Sequence, residues 1–371
     1  MPKIVAARKV ALVYDWGDTK FGGAERVLLA LKKIYPQADL FVSVADSHQA
    51  SWLQEFSRVR VSFLQKFPRL IKKHKALLAI FLPLAFESFD FSGYELIISV
   101  SSFAAKGILT KPGQFHLCYL LTPTRFLYSH ENEYLPWWLK PLLLPIKKYL
   151  CSWDKVAIHR PDCLLAISQL VAKRCQRFYG RVVDEVVYPT IINDIFTSSN
   201  KVSLKKKYFL VVSRLVAYKK IDLALQACGQ ERLPLKIIGS GKQLSQLQKL
   251  AHRHHWQQIE FLPQVLDSEL PAYYRGAIAL LAPAQEDFGI NLLEANSCDT
   301  LVITNALSGA RELLNHQTAW DLQRGDLAEL RLLLRRASAL GSKNLQVKFL
   351  GYNTREFTKV FKQVEEKYHA A

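Results

Sequence analysis

The chain has 371 residues, with 50 Lys and Arg against 32 Asp and Glu, a formal net charge of +18 and 50% hydrophobic residues. That length suggests two domains with ample core, and the apolar fraction excludes wholesale disorder or a collagen-like fibre. The longest apolar run, 76–86 with Pro83 inside, is too short for the roughly 20 residues that a bilayer crossing needs.

The predicted elements begin with residues 1–16, which read as an opening strand and not as a signal peptide, because Asp15 follows a short apolar stretch and no cleavage site appears. Strands are predicted at 9–14, 94–100, 115–121, 162–167, 185–188, 208–212, 235–238, 259–262, 278–282 and 301–304. Several are apolar on both faces, as parallel strands covered on each side must be. Helical patterns lie between them: Ala24, Val27, Leu28, Leu31 and Ile34 form one buried stripe, and Ser168 caps a helix that stops at Gly180. A last helical pattern covers 353–368. This alternation means βαβ units and doubly wound sheets. The polar, turn-forming stretch 189–207 is the expected linker. It divides the chain into Rossmann-like halves at 1–190 and 205–350, with a terminal helix in 351–371 that could pack on either half, the first among them.

Open α/β domains bind ligands at the carboxyl ends of their strands, so the loops there carry the candidates. After the first strand, Gly22 and Gly23 precede a helix and suit close approach of an anion, although a plain strand–helix turn has the same glycines. After strand 208–212 come Arg214 and Lys219, a fork and a point charge suited to a diphosphate. Gly239-Ser240-Gly241 is a further permissive turn. Next is Glu286-Asp287-Phe288-Gly289-Ile290-Asn291-Leu292-Leu293-Glu294. Here Gly289 fits a helix start, the Phe288, Gly289 and Ile290 amides point at a phosphate or sugar oxygen, and the two glutamates suit sugar hydroxyls. Asp15 and Arg125 are candidates for contacts to the acceptor.

Taken in order, Gly-Gly-Ala-Glu-Arg-Val, Ser-Arg-Leu-x-x-Tyr-Lys-Lys, Gly-Ser-Gly, Glu-x7-Glu and Ser308-Gly309-Ala310-Arg311-Glu312 resemble glycosyltransferase family 4, retaining enzymes of the two-domain GT-B fold. The resemblance runs from about Val10 to Leu314. Stretches such as Ala105-Lys106-Gly107 and Thr122-Pro123-x-Arg125 are similar to a bacterial mannosyltransferase-like branch. The resemblance implies that Arg214 and Lys219 hold the donor diphosphate, Glu294 the ribose and Glu286 the transferred sugar. By the same resemblance, the Phe288, Gly289 and Ile290 amides lie against that sugar, Gly239 belongs to the donor side, and Gly22 and Gly23 border the reaction centre. It implies GDP-mannose as donor, a glycan or lipid-linked acceptor, front-face substitution, and neither a metal nor another cofactor. Leu121 stands where the branch has His, Cys298-Asp299-Thr300-Leu301 replaces a Gly-Thr-Pro turn, and Ser308 replaces a glycine. The rival reading is a non-catalytic sugar-nucleotide-binding or membrane-associated partner subunit.

Basic and apolar residues interleave at 64–78 and 134–150, including Lys66, Arg69, Lys72, Lys73, Lys75, Trp137, Trp138, Lys140, Lys147 and Lys148, which suits an anionic bilayer surface. The expected location is therefore cytoplasmic, peripheral on the inner face of the membrane. No nucleic-acid-binding signature accompanies the charge. His252, His254 and His255 lack companions at metal-ligand spacing and read as solvated. Six cysteines without a Cys-x-x-Cys pair read as free thiols.

Overall fold

The computed structural model describes residues 9–68, 71–72, 75–129, 140–189, 196, 207–262, 265–340 and 354–369. The chain divides into two compact units, Met1–Ile192 with Tyr352–Ala371, and Asn193–Gly351. The expected linker at 189–207 lies almost wholly outside the described residues, as do Arg69, Lys73, Trp137 and Trp138.

In the first unit, seven parallel strands are described: β1 Val10–Tyr14, β2 Asp39–Val42, β3 Val59–Val61, β4 Leu96–Ser101, β5 Phe115–Leu120, β6 Cys163–Ala166 and β7 Glu185–Val186. They lie in the order β3-β2-β1-β4-β5-β6-β7. β1 and β4 are buried at every position, which requires cover on both faces and explains their unbroken apolar sequences. The helix Gly23–Ile34 buries Val27, Leu28 and Leu31. The Ser168 hydroxyl accepts the Val171 amide at 3.2 Å and caps the helix Gln169–Tyr179. The terminal helix Thr354–His369 belongs to this unit: Phe357 and Phe361 are fully buried, each with its ring centroid 6.2 Å from that of Tyr119. The apolar run at 76–86 forms the helix Lys75–Glu87, with Pro83 inside it.

The second unit has six described strands: β8 Tyr208–Val212, β9 Leu235–Ile238, β10 Ile259–Leu262, β11 Ala277–Ala282, β12 Leu301–Asn305 and β13 Ala319–Leu322. Their order is β10-β9-β8-β11-β12-β13, all parallel. Phe209, Val211, Ile237, Leu281 and Ile303 from the sheet pack with Leu225 and Leu334 from the helices Ile221–Gln230 and Leu327–Leu340.

The order reverses between β1 and β4 in one sheet and between β8 and β11 in the other. At such a switch point the loops leave to opposite faces and open a crevice beyond the carboxyl ends. Among the described residues no helix is long and apolar enough to cross a membrane.

Candidate functional site

At the β8–β11 switch point the loops 213–220 and 283–289 meet. Lys219 ends a short 3-10 turn, Ala217–Lys219, and is followed by Lys220 at φ 51°. Its ammonium forms an ion pair with Glu286 Oε2, and both side chains are nearly buried, at 12% and 11% exposure. Asn291 joins the same two strands' loops by donating from Nδ2 to the Val212 carbonyl at 3.0 Å. Arg214 is exposed and donates to the Tyr218 hydroxyl at 2.9 Å, while the Lys219 ammonium lies 5.3 Å from the Tyr218 ring centroid. Tyr218 therefore spans the two cations, a role the sequence reading missed.

The helix Ile290–Ser297 starts at Gly289, whose φ of +93° favours glycine. Glu294 lies on its second turn, almost wholly buried, with Oε2 accepting the Tyr274 hydroxyl at 2.9 Å. The loop before this helix is fixed from the side by the segment after β12. Glu286 N donates to Ser308 Oγ at 3.1 Å, Gly309 N to the Glu286 carbonyl at 3.0 Å, and Ala310 N to the Phe288 carbonyl at 2.7 Å. Ser308, which departs from the family pattern, thus holds the Glu286 backbone. Asp299, the other departure here, occupies a left-handed position at φ 56°, which Asp tolerates better than most side chains.

Gly239 was expected on the donor side. Its φ is +138°, and a Cβ there would lie 1.9 Å from the Ser213 carbonyl oxygen. The close approach of two protein loops, sealed by the Ser213 N to Ile238 O and Leu215 N to Ser240 O hydrogen bonds, already demands glycine at this position without any ligand.

At the β1–β4 switch point, in the other unit, Asp15 requires a correction. It was expected to face an acceptor, but it is fully buried and accepts five hydrogen bonds. The Ser102 and Phe103 amides and the Ser102 hydroxyl share one oxygen, and the Ala104 and Ala105 amides share the other, at 2.6–3.0 Å. Tyr14 and Val100 are paired in register, so Asp15 leaves the sheet beside the start of the β4 loop and neutralises its row of amides. Five donors fill a carboxylate's acceptor sites, and its role is structural.

Glu25 is a second buried carboxylate that the sequence reading quoted but did not interpret. Its Oε1 accepts Tyr14 Oη at 2.8 Å and Thr19 Oγ1 at 2.7 Å, and Trp52 Nε1 donates to the Thr19 carbonyl at 2.9 Å. Burial and the Glu25 charge raise the Tyr14 phenol well above its usual pKa, so it stays a donor. The loop 15–22 is thereby pinned, and a Cβ on Gly23 would meet nothing within 4 Å. Arg125 opens the short helix Arg125–Tyr128 after β5. Thr124 before it is held by Asp154 at 3.0 Å, and Asp154 is paired with the fully buried Lys106 at 2.6 Å.

The structure therefore brings Lys219 and Glu286 together at neighbouring strand ends of one unit, with Arg214 and Tyr218 on the Lys219 loop and Phe288, Gly289 and Ile290 at the helix start, while Glu294, further along that helix, is buried against Tyr274. Gly22, Gly23, Asp15 and Arg125 belong to the other unit. His252, His254 and His255 are exposed, and His254 stacks on Trp256 at 4.7 Å.

Residues 193–357 match the family described as Glycosyl transferases group 1. Over 213 residues the chain is 24% identical to an uncharacterized glycosyltransferase of Methanocaldococcus jannaschii, a match covering 56% of this chain and 57% of that protein. The chain thus spans about half the length of this curated relative. Sucrose-phosphate synthase from Thermosynechococcus elongatus superposes with a TM-score of 0.70 at 18% identity, covering 98% of this chain and 99% of that one. The Anabaena protein HepE, solved with UDP and glucose, superposes with a TM-score of 0.67 at 16% identity over 96% and 99% of the two chains. The fold is that of these GT-B structures: two Rossmann-like α/β domains with parallel sheets.

Proposed function

We propose that this chain is a retaining glycosyltransferase that moves a hexose from a nucleoside-diphosphate sugar to a hydroxyl of a glycan or lipid-linked acceptor. The observation that carries the reading is the Lys219–Glu286 pair at the β8–β11 switch point, with Arg214 tied to the same loop through Tyr218. The group 1 match over 193–357 covers the strands that build this site and supports the same assignment.

In this reading Lys219 and Arg214 take the diphosphate, and Glu294, oriented by Tyr274, takes the ribose. Glu286 then turns to the hydroxyls of the sugar, with the Phe288–Ile290 backbone beside it. As the bond from the anomeric carbon to the phosphate oxygen lengthens, charge grows on the leaving diphosphate. Preorganised cations stabilise that charge most where water is excluded. The acceptor oxygen bonds to the anomeric carbon on the face the phosphate leaves, and the acceptor proton passes to a phosphate oxygen. Configuration is retained without a protein nucleophile. Neutralisation of the leaving group is assigned to Arg214 and Lys219, with no metal or other cofactor invoked.

GDP-mannose is the donor we put first, on the mannosyltransferase-like stretches of the sequence. The likeness to HepE makes UDP-glucose its rival. Incubation of the purified chain with each sugar nucleotide, with release of GDP or UDP as readout, tests the proposal. Release that is lost in Lys219→Ala supports it. Nucleotide binding without any release, with or without added acceptors, favours the non-catalytic subunit suggested by Leu121.

A further inference from the structure

The helix Lys75–Glu87 buries Leu78, Ala79, Leu82, Pro83, Ala85 and Phe86 on one side. A surface helix ordinarily turns charged and polar residues to water on the other. Here the opposite side is apolar too: Leu77 is 49% exposed, Phe81 42% and Leu84 57%. These three are spaced i, i+4, i+7 and so line one stripe. Phe67 packs its ring 5.6 Å from Phe81 and 6.1 Å from Phe63, centroid to centroid, and Phe63 is itself 36% exposed. The stripe therefore widens into a patch shared by two elements. A contiguous exposed apolar patch marks an interaction surface rather than chance exposure of single residues.

The surrounding charge selects the partner. From residue 56 to 86 the sequence holds seven Lys and Arg and no Asp or Glu. Of these, Arg58 and Arg60 lie within 3.8 Å of Asp39 and Lys75 pairs with Asp18 at 3.0 Å, so the segment keeps a net positive charge after those pairs are made. Lys66 is exposed between Phe63 and Phe67. A protein partner offering only an apolar groove would leave the exposed Lys66 and the remaining positive charge of this segment without complement. An anionic bilayer meets both features: acyl chains and the interfacial region take the Leu and Phe side chains, and headgroup phosphates take the cations.

We propose that the Leu77–Phe81–Leu84 face, with Phe63 and Lys66 beside it, docks this unit on an anionic lipid bilayer. The assignment needs no assumption about sugar transfer, so it stands or falls separately from the function proposed above. The experiment is co-sedimentation of the full chain with vesicles of phosphatidylcholine, with and without phosphatidylglycerol. The chain is expected to pellet with the phosphatidylglycerol vesicles, less so as salt is raised, and not with phosphatidylcholine alone. The triple variant Leu77→Ser, Phe81→Ser, Leu84→Ser should bind about tenfold or more weakly. Its thermal midpoint should fall only modestly, because each of the three side chains is already 42–57% exposed, and binding is compared at a temperature where both proteins are folded. Leu332→Ser, at an exposed leucine of the other unit, should bind like wild type. A second single variant, Lys66→Glu, should weaken binding without touching the apolar face. Equal recovery with both vesicles, no pelleting with either, or a triple variant that binds like wild type overturns the proposal. So does a concentration-dependent dimer that the triple variant abolishes, since the face would then belong to a second copy.

Discussion

The Lys219 ammonium and the Glu286 carboxylate are ion-paired although 67 residues separate them in the sequence. The pair closes the switch point with the cation that the diphosphate is proposed to use. A diphosphate must then displace Glu286 from Lys219, and the released carboxylate becomes available to the sugar. Glu286→Gln removes the competitor, so binding of UDP or GDP alone should tighten about three- to tenfold while transfer falls. Lys219→Ala should instead weaken nucleotide binding about 10- to 100-fold. Calorimetry on both variants checks the pair of signs. Weaker nucleotide binding by Glu286→Gln would show that the carboxylate serves only to hold the lysine in place.

Asp15 is isosteric with Asn, yet Asn would set an amide donor against backbone amides that now share two acceptor oxygens. Asp15→Asn should destabilise the chain by about 2–4 kcal/mol, read as a lower urea midpoint at unchanged slope. A change of under 0.5 kcal/mol, about the scatter of ordinary surface substitutions, would mean that the five hydrogen bonds are not the role of this residue.

Two glycines of the sequence motifs part company in the structure. Gly239→Ala forces a Cβ to within 1.9 Å of the Ser213 carbonyl oxygen, and should cost more than about 3 kcal/mol or prevent folding. Gly23→Ala meets no protein atom within 4 Å and replaces a glycine at the first helical position. Its stability should hold or rise by up to about 1 kcal/mol. If substrate approaches this helix start closely, transfer falls in that well-folded variant, and kinetics at matched stability detects it.

His116 is fully buried in β5, with Nε2 2.8 Å from Ser99 Oγ. Burial, reinforced by Arg181 and Arg160, lowers its pKa from 6.5 to about 3. The unfolded chain takes up this proton below about pH 6.5 while the folded one does not, so the contribution to stability is complete above that pH. It declines as pH falls toward 3. Between pH 7.5 and 5, wild type should lose about 1–2 kcal/mol more stability than His116→Gln. Urea melts at both values supply the comparison, and equal losses in the two proteins would remove the histidine from the account.

The parallel core strands were legible because burial on both faces leaves continuous apolar runs. β8, β9 and β10 match their expected ranges, and β11 begins one residue early. The edge strands β3 and β13 and the inner strand β2 were missed. Val59–Val61 has three residues with Arg60 in the middle, Ala319–Leu322 carries Asp321 at an edge, and Asp39–Val42 opens on a charge. Strands of three or four residues that include a charge give no continuous apolar run to read. The site was legible as residue types at strand ends, since Gly289 falls where a helix start requires it. The partners were not. Tyr274, Asn291 and Ser308 act through contacts between segments distant in sequence, and the saturation of Asp15 depends on backbone amides, which no side-chain pattern records.

The central claim is that a nucleoside diphosphate binds at the carboxyl ends of β8 and β11. Thermal unfolding of wild type, Lys219→Ala and Glu294→Ala with GDP, UDP, ADP and their sugars tests it most directly, since a ligand at 100 times its Kd stabilises the folded state by about 2.7 kcal/mol. The account predicts that at least one of these nucleotides raises the wild-type midpoint, and that both substitutions reduce the rise. No shift with any nucleotide, or an undiminished shift in both variants, would contradict it.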